Sequence, residues 1–298
     1  MSAVAPAPLS RSALRTRRRI AEGVERKRPW TFWVLAGLFS VYVLALYGPM
    51  LCIYVLSLQD IRGGLVFPMK GLSLHWFVDL FTQVRTGDVK GGFERSIVLA
   101  ILVTVLTVVG SFLAGLAFRQ RFKGDGIVFY LMIGSLVVPG LVLGIGIGLL
   151  FQYFGIEAAW YTSALGAHLS WTLPFGVLVM FAVMSRFDRA WEEAARDLGA
   201  TRWQSIWMVV VPILAPGLVA VALFGFTLSY DEFSRSLQTS GSLNTLPLEI
   251  WSMTLNVTSP SLYALGTVTT IASFLIIGAC LGAIAIIQKR RATRVSAE

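Results

Sequence analysis

Asp231 and Glu232 are neighbouring carboxylates placed where a long uncharged run ends. With Tyr230 before them they could set a negative potential at the mouth of a pathway and offer an aromatic face to a cation; solvation of a loop explains the same pair equally well. His168, in Ala167-His168-Leu169-Ser170-Trp171, is polar in the middle of an apolar run. It and Trp171 are therefore candidates for a cavity or an interhelical contact, and satisfied packing fits them as readily. His75 is the other histidine, and neither has a Cys, His or carboxylate cluster beside it at metal-ligand spacing. Cys52 and Cys280 both lie in apolar runs, which leaves no disulfide framework and no thiol-rich metal site. The sequence has no G-x-x-x-x-G-K-[ST] to cradle a nucleotide, no H-E-x-x-H, no nucleophile motif and no paired carboxylates inside an apolar run. The motifs that carry nucleotide, metal or nucleophilic chemistry are therefore not spelled out in it.

The stretch Ser185–Pro212, SRFDRAWEEAARDLGATRWQSIWMVVVP, is the most strongly specified locally. Ser185 and Asp188 have capping-box spacing, Arg189–Leu198 is rich in helix formers, Gly199 suits a left-handed cap, and Thr201 with Gln204 offers a second box. The spacing predicts helix, stop, helix. Arg189 with Glu193 and Glu192 with Arg196 stand at i,i+4, each pair worth about 0.3 kcal/mol, so the charges have a sufficient structural explanation. The remaining face carries Trp191, Ala194, Ala195 and Leu198. A helix of about ten residues is marginal alone in water, so such a stripe calls for a groove on another protein.

These residues must be held by a membrane protein. Of 298 residues 56% are hydrophobic and 14% charged, with mean hydropathy +0.72, which excludes a soluble enzyme domain. Uncharged runs long enough to cross ~30 Å of hydrocarbon lie near Thr31–Ser57, Ser96–Phe118, Gly126–Tyr153, Thr162–Met184, Ile206–Tyr230 and Leu262–Ile287. The fold class expected is all-α with six transmembrane helices. The net charge of +9 resides in tails and short loops, which argues for a membrane flank and against nucleic acid. The basic stretch Arg11–Arg28 precedes a run of full span length, so it reads as a cytoplasmic tail and not as a secretory signal. Placing both tails inside puts 19 of the 25 Lys/Arg on one side and 6 on the other, an N-in, C-in topology. The chain then divides into a basic tail at 1–30, a six-span domain at 31–287 with its loop at 185–212, and a tail at 288–298. Segments 58–95 and 231–261 fall outside, where they await a partner or a lid. Pro49, Pro139, Pro174, Pro212 and Pro216 mark hinges or tolerated kinks. Gly140, Gly144 and Gly148, and Gly278 with Gly282, have the spacing of close helix packing, within a bundle or between subunits.

Glu193-Ala194-Ala195, three residues, Gly199, nine residues, then Val209-Val210-Val211-Pro212 resembles the EAA loop of ABC importer permeases, whose pattern closes on I-x-L-P. The spermidine/putrescine-type branch is the most similar. Phe67-Pro68 and Gly71-Leu72-Ser73-Leu74-His75-Trp76-Phe77 resemble that branch's first external loop, with His75 and Phe77 as variants. Ser229-Tyr230-Asp231-Glu232-Phe233, Leu246-Pro247-Leu248-Glu249-Ile250-Trp251-Ser252-Met253 and Ser259-Pro260 through Ala264-Leu265 resemble its last one, where Tyr230 and Glu232 depart from S-L-D-D.

The resemblance implies a type I ABC importer permease core in a bacterial inner membrane. It makes the short helix a coupling helix that docks on an ATPase subunit through Glu193, Ala194, Ala195 and Gly199; the apolar stripe adds Trp191, and Pro212 closes the coupling motif. It implies two ATPase subunits that bind ATP and Mg, leaving this chain without a cofactor, a second homologous permease, and an extracytoplasmic solute-binding protein. His168, Trp171, Tyr230, Asp231 and Glu232 are the pathway candidates, and a polyamine is the solute that resemblance favours. An opine, an aminobutyrate-like or another amino-acid-derived solute is the alternative. The rival from another class is a membrane-embedded enzyme or stand-alone channel with an ordinary loop at 185–205.

Overall fold

The structure is a computed structural model that describes residues 29–65, 67–82, 87–256 and 260–295. The basic tail before residue 29, Ser259 and the last three residues lie outside them. Among the described residues the regular elements are helices, and extended chain pairs in one isolated bridge, Gln59 with Leu72. The helices are α1 (Trp30–Leu56), α2 (His75–Thr82), α3 (Val89–Phe118), α4 (Asp125–Val137), α5 (Gly140–Tyr153), α6 (Ser163–Met184), α7 (Ala190–Asp197), α8 (Arg202–Ser205), α9 (Val211–Tyr230), α10 (Ser236–Thr239), α11 (Leu246–Asn256) and α12 (Ser261–Val295). A π-helical segment, Ile206–Val210, joins α8 to α9.

Two compact units are present, Met1–Cys52 and Ile53–Glu298. The described part of the first is nearly all α1, a helix without a charged residue. In the second, α3, α6 and α9 pack on one another. Small and hydroxyl residues make their contacts. Gly176 of α6 lies against Ser111 and Thr107 of α3, Gly217 of α9 lies against Val183, and the Thr107 and Thr172 hydroxyls bond at 2.8 Å. The opposite side of α3 exposes Val98, Ile101, Leu102, Val105, Leu106 and Val109. A helix with hydroxyls inside and large aliphatics outside suits hydrocarbon as solvent, because lipid removes the gain from burying Leu and Val while backbones still profit from close approach.

Among the described residues five helices are long and apolar enough to span: Trp30–Leu56, Val89–Phe118, Ser163–Met184, Arg202–Tyr230 and Ser261–Ala279. The span expected at Gly126–Tyr153 is broken in its middle, at the proline expected to mark a hinge or kink: α4 and α5 meet there at 108°. Pro139 supplies no N–H and drives the residue before it out of helical geometry; Val138 is extended at φ −68°, ψ 127°, and Pro139 follows at ψ 130°. Each limb is roughly 20 Å long, short of the ~30 Å of hydrocarbon. Six spans are reached by counting this pair as one broken span.

The segments expected outside are also more closed than loops awaiting a lid. Gln59 is buried and organises 58–76: its Oε1 accepts the Lys70 N–H at 3.0 Å, and its carbonyl accepts the Trp76 indole N–H at 2.8 Å. His75 of α2 pairs with Asp79 one turn on, at 3.2 Å. In 231–256 the chain turns back on the bundle, and Ser236, Thr239, Leu246, Leu248 and Met253 are buried. The Leu246 N–H donates to Ser96 Oγ at 2.8 Å, and Arg95 Nε donates to the Asn244 carbonyl at 2.7 Å. Helix α3 begins seven residues before the uncharged run because Asp88 caps it, accepting the Gly91 N–H at 3.0 Å. The Arg95 hydrogen bond, then that backbone N–H, holds the Asp88 carboxyl below the usual range. At the other end of the chain α12 continues past Ile287 to Val295.

Candidate functional site

Two groups of side chains lie at opposite ends of α6 and α9. The first is the loop after Met184. Helix α7 spans eight residues and ends in a Schellman motif: Gly199 is left-handed at φ +89°, its N–H donates to the Arg196 carbonyl at 2.8 Å, and the Ala200 N–H reaches the Ala195 carbonyl at 3.0 Å. Next comes the Thr201 box, with the Gln204 N–H donating to Thr201 Oγ1 and the Thr201 N–H to Gln204 Oε1. The box expected at Ser185 and Asp188 does not form. Ser185 Oγ donates back to the Ala182 carbonyl, and Asp188 Oδ1 accepts the Ala190 N–H instead. Before Pro212 the helix widens to π, with the Val211 N–H donating to the Ile206 carbonyl; a proline inside a helix clashes with the carbonyl four residues back, and a π-turn relieves that crowding.

The charges of α7 reach across to α3. Glu192 accepts from Arg196 at 2.8 Å as expected, and also from Arg119, just past the end of α3, at 3.2 Å. Arg189 does not pair with Glu193; its Nη2 donates to the Arg119 carbonyl at 2.6 Å. The Arg119 guanidinium lies over the Phe187 ring, 4.9 Å from its centroid. Three contacts thus converge on Arg119, a residue the sequence did not single out. Beside them a cleft of about 380 Å³ is lined by Arg119, Gln120, Arg189, Glu192, Glu193 and Arg202. The stripe is left uncovered: Trp191 is 63% and Leu198 90% exposed, Ala194 is exposed, and Ala195 is half-buried.

The second group surrounds the turn after α9. Tyr230 is buried, stacked on Phe226 at 5.8 Å and at right angles to Phe93 at 6.5 Å, so its ring is part of the core. Asp231 is exposed at the helix end. Glu232 is not a companion negative charge, because its Oε2 accepts from Arg235 Nη1 at 3.2 Å and its Oε1 from the Arg235 backbone N–H at 2.9 Å. His168 is buried, its Nδ1 2.8 Å from Ser229 Oγ and its Nε2 2.8 Å from Ser236 Oγ. Ser236 gives its hydroxyl hydrogen to the Glu232 carbonyl, so at Nε2 the ring is the donor. His168 therefore ties the end of α9 to α10. Ser163 Oγ, donating to the Thr239 carbonyl at 2.6 Å, pins the other end of the turn. Trp171 lies under the Arg235 guanidinium, 4.7 Å from ring centroid to Cζ.

The Gly140, Gly144 and Gly148 stripe packs within the chain, against this turn. A Cβ on Gly144 would stand 2.9 Å from the Arg235 carbonyl oxygen, and one on Gly148 2.8 Å from that of Gln238. Gly278 and Gly282 face open space. Arg235 escaped the sequence reading, although as the sole basic residue of 231–261 it carried a signal. Among the described residues no group of three metal-ligating side chains is assembled.

Comparison with known proteins adds to this geometry. The sequence pattern of the Binding-protein-dependent transport system inner membrane component family matches residues 90–294. The chain is 29% identical over 247 residues to the spermidine/putrescine transport system permease protein PotC of Escherichia coli K12, covering 82% of this chain and 91% of that one. It is 28% identical over 193 residues to the sulfate transport system permease protein CysT of the same organism, covering 61% and 69%. A bacterial ABC transporter involved in the import of the acidic polysaccharide alginate shares the fold, with a TM-score of 0.60 at 16% identity over 89% of this chain and 98% of that one.

Proposed function

Because the chain belongs to the family of inner membrane components of binding-protein-dependent transport systems, we propose that it carries a small cationic or zwitterionic solute, a polyamine first among them. The chain is a transport subunit of a bacterial ABC importer in the inner membrane, working with an ATPase and a solute-binding protein, and is not an enzyme. In the reading proposed here, α7 is the coupling helix, both termini are cytoplasmic, and the loop at 185–212 meets one of two ATPase subunits that bind ATP and Mg. A second, non-identical permease completes the pathway. Closure of the ATPases on ATP moves α7 as a rigid body, and the favoured state of the spans follows from that differential contact.

The observation that carries the reading is the uncovered stripe of α7, delimited by the Gly199 cap and anchored behind by Arg119. Trp191→Ala or Ala195→Asp should release the ATPase from the purified permease, weakening retention about 30-fold for an aromatic anchor worth ~2 kcal/mol. Normal retention by both variants would remove the coupling-helix assignment. The polyamine is supported by the likeness to PotC and by the exposed carboxylate of Asp231. Consumption of the Glu232 charge by Arg235 favours the alternative, an amino-acid-derived solute with one cationic end. Uptake of putrescine against 4-aminobutyrate in proteoliposomes, with the binding protein present, separates the two.

A further inference from the structure

Trp171, Glu232 and Arg235 form a closed cation box. The guanidinium lies 4.7 Å from the indole centroid and 3.2 Å from the Glu232 carboxylate, and Arg235 is 4% exposed. An aromatic face beside a carboxylate is what recognises an alkylammonium or guanidinium away from water. In this chain the occupant is a side chain of the same turn.

Three features make that occupant exchangeable. Arg235 Nε is buried with no hydrogen-bond partner among the described residues, so the guanidinium is incompletely satisfied where it lies. Glu232 does not need the guanidinium to keep its place, because its Oε1 caps the Arg235 backbone N–H and its carbonyl accepts from Ser236, which His168 holds. The neighbour facing the guanidinium is Gly140, at the break between α4 and α5, where an added Cβ would come within 2.8 Å of Nη1. A wall without a side chain, belonging to an interrupted helix, is where backbone can rearrange around a bound group.

We infer that Glu232 and Trp171 are a binding subsite for the cationic end of the solute, and that Arg235 is a tethered stand-in displaced by it. The inference rests on the cationic-solute reading above. Exchanging one cation for another keeps the Glu232 charge compensated throughout, whereas simple opening would leave a buried carboxylate alone. The stand-in also denies an empty subsite to passing inorganic cations.

Arg235→Ala, made in the assembled permease and ATPase complex, removes the stand-in. Thermal unfolding is then followed with methylguanidinium, with putrescine and with sodium chloride at equal ionic strength. The variant should unfold below wild type and recover by about 5 °C at saturating methylguanidinium or putrescine, with no recovery in sodium chloride and no methylguanidinium shift in wild type. Adding Trp171→Leu should raise the half-saturating concentration about tenfold. Where Arg235→Ala does not assemble, Arg235→Gln, which keeps the stem and a polar end but no charge, answers the same question. No cation-specific recovery in either variant, or equal recovery with and without Trp171, would overturn the subsite and leave Arg235 as a lock on the turn. Recovery in a complex that takes up no putrescine would keep the subsite and discard the polyamine; putrescine uptake by wild type without recovery in the variant would do the reverse.

Discussion

Two Glu–Arg pairs of equal length, 3.2 Å, sit at opposite ends of α6 and α9 and do different things. Glu232 and Arg235 are three residues apart, their side chains 9% and 5% exposed, and together they hold one turn. Glu192 and Arg119 are 73 residues apart, 17% and 16% exposed, and they join α7 to the end of α3. The local pair is nearly sealed, so its charges depend on each other for solvation. The long-range pair touches solvent and is one of several contacts on Arg119, so losing it frees a connection without stranding a charge. Burial decides what the pair is worth, and sequence separation decides what it connects.

The comparison breaks most visibly at Glu232. Glu232→Ala leaves Arg235 buried without its carboxylate, and the complex should lose about 3–5 kcal/mol, read as a lowered unfolding midpoint. A loss under ~1 kcal/mol would mean that the turn is wet and the two pairs are alike. At the loop end, Arg119→Ala should leave ATPase retention intact while lowering the uptake gained per ATP hydrolysed, because α7 still docks but no longer draws on α3. A double-mutant cycle with Glu192→Gln should give a coupling of about 1–2 kcal/mol. Unchanged coupling of uptake to ATP turnover would reduce this pair to a surface contact. Asp231→Asn is the mildest change. It should weaken uptake of a cationic solute at low salt and little at physiological salt, where screening acts within ~8 Å, and leave a neutral analogue unaffected. Equal transport by wild type and variant at both salts would give Asp231 no part in attraction.

Much of this was legible from types and spacings. Gly199 announced a left-handed cap because a residue lacking Cβ between a helix former and Thr201 has few other uses, and φ +89° is what it adopts. The uncovered stripe of Trp191 and Leu198 followed from helical periodicity, and the spans from the length of apolar runs. All of these are local properties, set within about ten residues by backbone sterics or by transfer from water. The bend at Pro139 was half legible: proline marked the place, and only packing of α5 against residues 235–238 decided that the chain turns through 108° and not through a slight kink. Who pairs with whom was not legible. Arg189 had Glu193 at i,i+4 and chose the Arg119 carbonyl, and Glu232 stood beside Asp231 as a second negative charge until Arg235 neutralised it. Such choices depend on which groups tertiary folding removes from water together, because a buried charge takes whatever partner the fold brings within reach, however far away or unremarkable in the sequence.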